Sequence, residues 1–287
     1  MPAQGTTASV ETRHAVHWRE AETFDTKALR AHFLVQDLLT PGALNATYTH
    51  YDRLMLAGAV PLATPLAFTD AHARLVGSEH HLARRELGLI NIGGPGRVTA
   101  DAATFDLGFQ DALYIGAGTA SVTFASVDPD NPAKFYINTA PAHARHPARL
   151  ITKAAAKAIP LGSQESANKR TIYQYLHPDV LPTCQLVMGL TRLDSGSVWN
   201  TMPAHTHDRR MEAYLYFELP QDAFTVHLMG RPEATRHLIV RNEQAVVSPP
   251  WSIHCGAGTT SYAFIWSMAG DNQAFTDMDM IAMQDLR

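Results

Sequence analysis

Apolar side chains follow two different spacings along this chain. In residues 20–38, apolar and charged positions recur at three- and four-residue intervals, and a Thr-Pro-Gly sequence follows, which predicts one helix. Beyond it come short runs rich in Val, Ile, Leu and Phe, separated by turns with Gly and Pro such as residues 93–96. Short strands at close intervals with these turns predict an antiparallel β-sandwich or β-barrel. The expected fold class is therefore mainly β, with a few short helices.

The strand pattern lapses midway along the chain and then resumes. Residues 153–159 have a helix-forming composition, and the Pro-Leu-Gly-Ser sequence at 160–163 ends that stretch. Two β-rich halves of similar size predict two related β-barrels in tandem, an N-terminal domain at residues 1–155 and a C-terminal domain at residues 156–287. The acidic tail, residues 271–287, is interpreted as a terminal helix that packs elsewhere.

Composition and charge are those of an ordinary globular protein. The chain has 287 residues, of which 46% are apolar and 17% charged, and a formal net charge of -4. Because there is no basic field, neither nucleic acid nor an anionic membrane is an expected partner. The N-terminal sequence lacks the pattern of a signal peptide, and no apolar run is long enough to span a bilayer. Cys184 and Cys255 are too few for a disulfide framework, so the cytoplasm is the expected location.

Four residues in the C-terminal half have the types and the spacing of a metal site. His205 and His207 are two residues apart, so on a strand both side chains point to one face. Glu212 follows five residues later across a hairpin turn, and His254 lies 42 residues beyond Glu212, where another strand meets a turn. Imidazole nitrogen and carboxylate oxygen suit zinc at ~2.0–2.2 Å, and also manganese, iron, nickel or cobalt.

The same four residues have a simpler interpretation. They could be polar groups on an exposed strand, or core histidines bonded to backbone carbonyls. The offset of the Glu and the Pro-rich segment before the last His favour the metal hypothesis. Apolar residues beside these positions, Met202, Pro203 and Trp251, could also exclude water from a metal centre.

This arrangement resembles the metal signature of the cupin superfamily. In that signature an HxH pair is followed by Glu, and a later segment carries Pro and His, which Pro249 and His254 match here. Leu219 and Trp251 stand where the signature has Gly, and Gly258 stands where it has Asn. The turns around the site must therefore differ from those of a standard cupin, although all four ligand positions are filled.

A closer resemblance covers nearly the whole chain. Long segments are similar to the 4-deoxy-L-threo-5-hexosulose-uronate ketol-isomerase family of the cupin superfamily, namely residues 84–96, 112–118, 131–143, 166–172, 196–214, 242–254 and 267–273. The resemblance implies two cupin-like domains, of which only the C-terminal one binds metal. It also implies one zinc ion per chain at His205, His207, Glu212 and His254, and a cytoplasmic homohexamer that acts in pectin and uronate breakdown.

The reaction implied by the resemblance is an aldose–ketose isomerisation. Such an enzyme converts 5-dehydro-4-deoxy-D-glucuronate, a small-molecule uronate, to 3-deoxy-D-glycero-2,5-hexodiulosonate through an enediolate that a metal can stabilise. The sequence does not identify the general base, for which Glu165, Glu218 and a metal-bound hydroxide are candidates. Lys169 or Arg170 could bind the substrate carboxylate, and the alternative is that both belong to a solvated turn. A cupin dioxygenase and a non-catalytic sugar-binding protein are the alternatives.

Overall fold

The computed structural model describes residues 9–287 of this chain. These residues form two units that do not follow a single division of the sequence. The first unit contains residues 9–13, Asp37–Ala156 and Tyr175–Leu186. The second unit contains His14–Gln36, Lys157–Gln174 and Val187–Arg287. No helix within the described residues is long and apolar enough to cross a membrane.

Helices and strands are numbered along the chain. Up to residue 156 they are β1 (Val10–Arg13), α1 (Trp18–Ala21), α2 (Thr26–Phe33), β2 (Leu34–Val35), β3 (Leu44–Thr49), β4 (Met55–Ala59), β5 (Leu66–Ala67), α3 (Asp70–Leu75), β6 (Arg85–Asn91), β7 (Gly96–Ala100), β8 (Ala103–Leu107), β9 (Ala112–Ile115), β10 (Val122–Ser126), β11 (Phe135–Pro141), β12 (Arg149–Ile151) and the 3-10 helix Lys153–Ala155. From residue 157 they are β13 (Lys157–Leu161), β14 (Arg170–Leu176), β15 (Val187–Leu193), β16 (Trp199–Asn200), β17 (His205–Thr206), β18 (Arg210–Phe217), β19 (Thr225–Arg231), β20 (Ala234–Val240), β21 (Gln244–Ser248), β22 (Cys255–Gly258), β23 (Ala263–Gly270), β24 (Asp279–Met280) and the 3-10 helix Met283–Asp285.

The first unit packs two sheets face to face. In the described residues, one sheet has the strand order β1-β3-β4-β11-β6-β9-β12 and the other β5-β10-β7-β8. Alternate residues of a strand point to the same face, so Leu87 and Leu89 of β6 both turn inward. They meet Val98 of β7 and Phe124 of β10 in one apolar cluster, and all four are fully buried. This unit therefore confirms the predicted mainly β fold.

The second unit has a similar pair of sheets, with the strand orders β13-β14-β15-β23-β18-β21-β2 and β16-β22-β19-β20. Every residue of the central strand β18 is buried. Tyr214 of this strand packs edge-on against Phe264 of β23, with ring centroids 5.0 Å apart. Tyr216, two residues further on, lies with its hydroxyl 2.7 Å from His227 Nδ1 on β19, which joins the two sheets across the interior. Strands β17 and β24 pair separately.

The two units repeat one strand order. Among the described residues, β6 lies between β11 and β9 in the seven-stranded sheet of the first unit. In the seven-stranded sheet of the second unit, β18 lies in the same way between β23 and β21. The registers agree as well, because Leu87 pairs with Ile115 at the end of β9 and Glu212 pairs with Ser248 at the end of β21. Leu87 is therefore the counterpart of Glu212. The sequence has no obvious residue-level repeat, so strand order and register are what make the duplication visible.

The helix predicted at residues 20–38 is wrong in its extent. Two short helices form instead, because Asp25 caps a new helix: its side chain accepts a hydrogen bond from the Ala28 N–H at 2.8 Å. The second helix ends at Phe33, and β2 begins directly after it. This short strand pairs with β21, so pairing with a neighbouring strand overrides the helical spacing.

The two other predicted helices are also wrong. Residues 153–159 form the 3-10 helix Lys153–Ala155 and the start of β13, which pairs with β14 along its whole length. The acidic tail forms the short strand β24 and a single 3-10 turn. Helix propensity is a weak signal in both stretches, and hydrogen bonding to strands distant in sequence decides the outcome.

Candidate metal centre

The four predicted ligands come from three places in the second unit. His205 lies on β17 and His207 directly after it, while Glu212 is the third residue of β18. His254 immediately precedes β22, in the opposite sheet. One ligand atom of each residue lies within 4.8 Å of those of the other three. The structure thus brings all four residues together as a group that could hold a metal.

Backbone carbonyls orient two of the histidine rings. His207 Nδ1 lies 2.9 Å from the Arg210 carbonyl oxygen, and His254 Nδ1 lies 3.3 Å from the Ser252 carbonyl oxygen. A ring nitrogen that faces a carbonyl must carry the hydrogen and donate it, so the neutral ring has its lone pair on Nε2. Both Nε2 lone pairs consequently point toward the ligand group.

These lone pairs converge on one another and on a carboxylate. Glu212 Oε2 lies 3.0 Å from His207 Nε2 and 3.1 Å from His254 Nε2. His254 Nε2 also lies 2.9 Å from His205 Nε2. Ligands bonded at ~2.1 Å to one ion lie ~3.0–3.4 Å apart, close to these separations. Acceptors that face acceptors repel unless a cation or an extra proton lies between them, so the donor set fits a divalent metal.

Burial keeps two of the histidines in the form that binds metal. It lowers the pKa of His205 to about 4 and the pKa of His254 well below its usual value, so both rings are neutral at pH 7. His207 behaves differently. Burial disfavours its charged form, but the hydrogen bond and the charge of Glu212 outweigh that effect and raise its pKa. His207 is therefore the ligand at which a metal competes most directly with a proton.

A cavity of about 250 Å³ opens beside three of the ligands. Much of its lining is apolar and comes from β23 and the C-terminal segment, namely Phe264, Trp266, Met268, Phe275, Met278 and Met280. Met202 and Pro203, predicted to flank the centre, also line this cavity. Trp251 does not, because its ring packs edge-on against Phe33 at 6.1 Å. Walls of this kind bury a small ligand and exclude bulk water from a few polar groups.

Two arginines bring positive charge to this cavity. Arg170 donates from Nη1 to the Asn168 carbonyl at 2.8 Å, and it has no carboxylate partner among the residues that the structure describes. Burial lowers the pKa of Arg170 from its ordinary value. Arg210 is 1% exposed, and its buried Nε has no hydrogen-bond acceptor within the described chain. Both side chains can therefore bind oxygen atoms of an anionic ligand.

The other residues proposed from the sequence lie outside the cavity. Lys169 pairs with Asp194 at 3.3 Å and lines a separate surface groove. Glu218 lines that same groove and lies 3.1 Å from Arg192. Glu165 is exposed and belongs to neither lining. Of the proposed substrate and base residues, the structure thus brings Arg170 alone to the ligands.

Sequence reasoning missed three residues with hydroxyl groups that line this cavity, Thr191, Thr201 and Tyr214. A signal for Tyr214 was available, since it lies two residues after Glu212 on one strand and therefore on the same face. Burial, followed by the nearby Glu212 charge, raises the pKa of Tyr214 well above its ordinary value, so the hydroxyl keeps its proton. No comparable signal pointed to the walls from the C-terminal segment.

Solved structures share this fold. An IolB-like protein from Salmonella typhimurium LT2 has a TM-score of 0.64 at 15% identity, over 79% of this chain and 87% of that one. An oxalate decarboxylase from Lactobacillus farciminis has a TM-score of 0.54 at 11% identity, over 80% of this chain and 79% of that one. At such identities the likeness concerns the fold alone. The fold is of the cupin type.

Sequence comparison defines the family more closely. The profile of the KduI/IolB family matches residues 73–283. A 4-deoxy-L-threo-5-hexosulose-uronate ketol-isomerase from Burkholderia cenocepacia is 53% identical, over 97% of this chain and all of that protein. A protein of the same name from Pectobacterium carotovorum is 50% identical over the same shares. The chain belongs to the KduI/IolB family, which confirms the resemblance found in the sequence.

Proposed function

We propose that this chain is a metal-dependent ketol-isomerase. It converts 5-dehydro-4-deoxy-D-glucuronate to 3-deoxy-D-glycero-2,5-hexodiulosonate, with one zinc ion bound by His205, His207, Glu212 and His254. The observation that carries the proposal is the convergence of these four buried or half-buried ligands beside a cavity with two arginines. Relatives that carry this activity in their name and match 97% of the chain support the reaction.

Zinc is the proposed metal because three imidazole nitrogens and one carboxylate suit its ligand preferences. When bound, it would supply a Lewis acid that polarises the carbonyl and hydroxyl oxygens of the sugar. The same donor set also accepts manganese, iron, nickel or cobalt. A redox-inactive ion agrees with a reaction in which the substrate gains and loses no electrons overall.

The isomerisation moves one hydrogen between neighbouring carbons. The C2–H bond breaks, a new C–H bond forms at C1, and the proton of the C2 hydroxyl ends on the oxygen of C1. The aldehyde thus becomes a hydroxymethyl group and C2 becomes a ketone, with no atom gained or lost. Neither Glu165 nor Glu218 faces the cavity, so this proposal assigns the proton transfer to neither of them.

The chain's own residues bind and orient the substrate. Arg170, which has no carboxylate partner among the described residues, binds the carboxylate at the far end of the sugar. The Nε–H of Arg210 and the hydroxyl of Tyr214 donate hydrogen bonds to oxygens near the reacting carbons. The Thr201 hydroxyl donates to Asn200 Oδ1 at 2.6 Å, so it accepts a hydrogen bond from a sugar hydroxyl. Apolar walls contact the deoxygenated carbon and exclude water, which strengthens these hydrogen bonds.

The assembly and the setting belong to the same proposal. We infer a closed homo-oligomer, a hexamer by the family resemblance, that acts in the cytoplasm on uronates released from pectin. The first unit carries Leu87 at the position of Glu212, which supports one metal per chain. Light scattering tests the assembly: a monomer would overturn the oligomer without affecting the proposed reaction.

The deciding experiment combines elemental analysis with an activity assay. Freshly purified protein should contain about one zinc per chain and should convert 5-dehydro-4-deoxy-D-glucuronate to the ketose without consuming oxygen. Oxygen consumption with a redox-active metal would indicate a dioxygenase instead. Metal-loaded protein that binds the uronate without turning it over would indicate a sugar-binding protein. Either result would overturn the isomerase proposal.

A further inference from the structure

The strand that carries His205 is held by the C-terminal segment, residues 271–287. Within the described residues, β24 is the strand that pairs with β17, and it places Met280 opposite His205. The Ile281 N–H donates to the Ala204 carbonyl at 3.0 Å and extends this pairing. His205 is half-buried whereas the other three ligands are buried, so its position depends more on this neighbour than on a surrounding core.

Arg209 binds the C-terminal segment through charge. Its Nη2 lies 2.5 Å from Asp277 Oδ1 and 3.1 Å from Asp279 Oδ2, and its Nε lies 3.1 Å from Asp277 Oδ2. Two N–H groups on one carboxylate fix the direction of approach as well as the distance. Asn272 also donates to Asp277, at 2.6 Å. The hydrogen bond from Arg209 and then that from Asn272 lower the pKa of Asp277 to about 2, so the pair stays charged near neutral pH.

The neighbouring arginine binds the same segment through its backbone. Arg210 donates from Nη1 to the Ala274 carbonyl at 2.9 Å and from Nη2 to the Asp277 carbonyl at 3.0 Å. Both arginines lie between His207 and Glu212 in sequence, so the metal ligands and the C-terminal segment share one anchoring point. The segment in turn contributes three cavity walls, Phe275, Met278 and Met280.

We propose that Arg209 is a positioning residue for the metal centre, which acts by holding Asp277 and thereby fixing the C-terminal segment against His205. This inference rests on the proposed metal ligands and does not depend on which reaction the metal supports. The alternative is an ordinary surface ion pair. Such a pair would contribute little to folding and would leave metal retention unchanged.

The test measures how fast zinc leaves the protein. Removing a group that supports a metal ligand typically weakens binding by about 10–100-fold. We therefore expect Arg209→Gln and Asp277→Asn each to accelerate zinc transfer to excess chelator by about 10-fold or more. The double variant should release zinc no faster than Arg209→Gln, because that substitution already removes the contact with Asp277. Arg209→Lys, which keeps the charge but loses the two-point contact, should fall between wild type and Arg209→Gln.

A second readout reports ligand geometry without relying on activity. The visible absorption spectrum of cobalt-loaded protein should change in Arg209→Gln and stay unchanged in the matched control, Arg97→Gln. Arg97 pairs with Asp106 at 2.7 Å on the first unit and lies outside the second unit altogether. Arg97→Gln should also release zinc at the wild-type rate.

Wild-type release rates in both single variants, or additive effects in the double variant, would overturn the inference. Metal-free Arg209→Gln should unfold at the same temperature as metal-free wild type. If that variant does not fold, Asp277→Asn and Arg209→Lys provide the same comparison. Wild-type protein that binds no divalent metal would overturn the ligand assignment and this inference with it. Protein that holds metal but does not isomerise the uronate would overturn the proposed reaction alone.

Discussion

Lys169 and Arg170 are neighbours in sequence, and their surroundings differ enough to predict opposite results. Arg170 lines the metal cavity without a carboxylate partner among the described residues. Lys169 has a side chain that is 57% exposed and pairs with Asp194. If Arg170 binds the substrate carboxylate, Arg170→Ala should raise KM, whereas Lys169→Ala should leave it within about twofold of wild type.

The expected size of the effect follows from these surroundings. A hydrogen bond to a charged group contributes ~1.5–3 kcal/mol, and each 1.4 kcal/mol is tenfold in an equilibrium constant. Removing the contact should therefore raise KM by ~10–100-fold. Arg170 is half-buried, so solvent screens part of its charge and the lower part of this range, ~10–30-fold, is expected. The turnover number should change less, because the carboxylate lies far from C1 and C2 of the substrate.

Steady-state kinetics on the purified variants, with an independent check from the substrate side, would measure this effect. Arg170→Lys should be intermediate, because lysine offers a point charge rather than a two-point contact. A substrate analogue with a carboxamide in place of the carboxylate should lose less affinity in Arg170→Ala than the substrate does, because it has no charge to pair with the guanidinium. An unchanged KM in Arg170→Ala, or an equal rise in Lys169→Ala, would refute the reasoning.

Three further predictions concern the ligands, the base and acid stability. His205→Ala should lose metal and activity together, while the control His80→Ala should keep both. Elemental analysis measures the metal content, and full zinc occupancy in His205→Ala would mean that the ligand set is wrong. Glu165→Gln and Glu218→Gln should each keep the turnover number within about twofold, and a loss of about 100-fold in either would place the base there. Burial lowers the pKa of His81 to about 3, below the unfolded value of about 6.5, so its contribution to stability is present above pH 6.5 and is lost as the pH falls toward 3. As the pH falls through this range, the free energy of unfolding of metal-free His81→Gln should therefore decrease less steeply than that of metal-free wild type, by up to ~1.4 kcal/mol per pH unit. Denaturant titrations at several pH values measure this dependence, and an equally steep decrease in both proteins would contradict the prediction.

The grouping of the four candidate ligands and the β class could be predicted from the sequence because both depend on local signals. An HxH pair fixes two imidazoles on one face of a strand whatever surrounds it. Short apolar runs between turns with Gly and Pro likewise predict strands from neighbouring residues alone. The strand order could not be predicted, since pairing joins residues far apart in sequence. The pairing of Leu34 with Val246 is an example.

The C-terminal segment shows where local signals fail. Its sequence has no apolar run long enough to predict a strand, and from sequence alone the segment is interpreted as a terminal helix that packs elsewhere. Its structure depends on contacts that Arg209 and Arg210 make across more than sixty residues of sequence. No spacing rule reports such contacts. The cavity walls that this segment supplies, and the support it gives to His205, were therefore invisible before the fold was known.

A comparison of equivalent positions in the two units helps to explain why Glu212 is a buried carboxylate. Leu87 and Glu212 occupy one place in the same strand register, and Leu87 is fully buried in an apolar core. A leucine at that place packs into the core and has no polar group that needs a hydrogen bond or a counter-charge. A carboxylate at that place loses hydration and must be compensated by a cation or a proton. His205, His207 and His254 surround Glu212 with the nitrogen ligands that a divalent cation needs. The fold does not require Glu212, and with the three surrounding histidines it completes a group that could hold a metal.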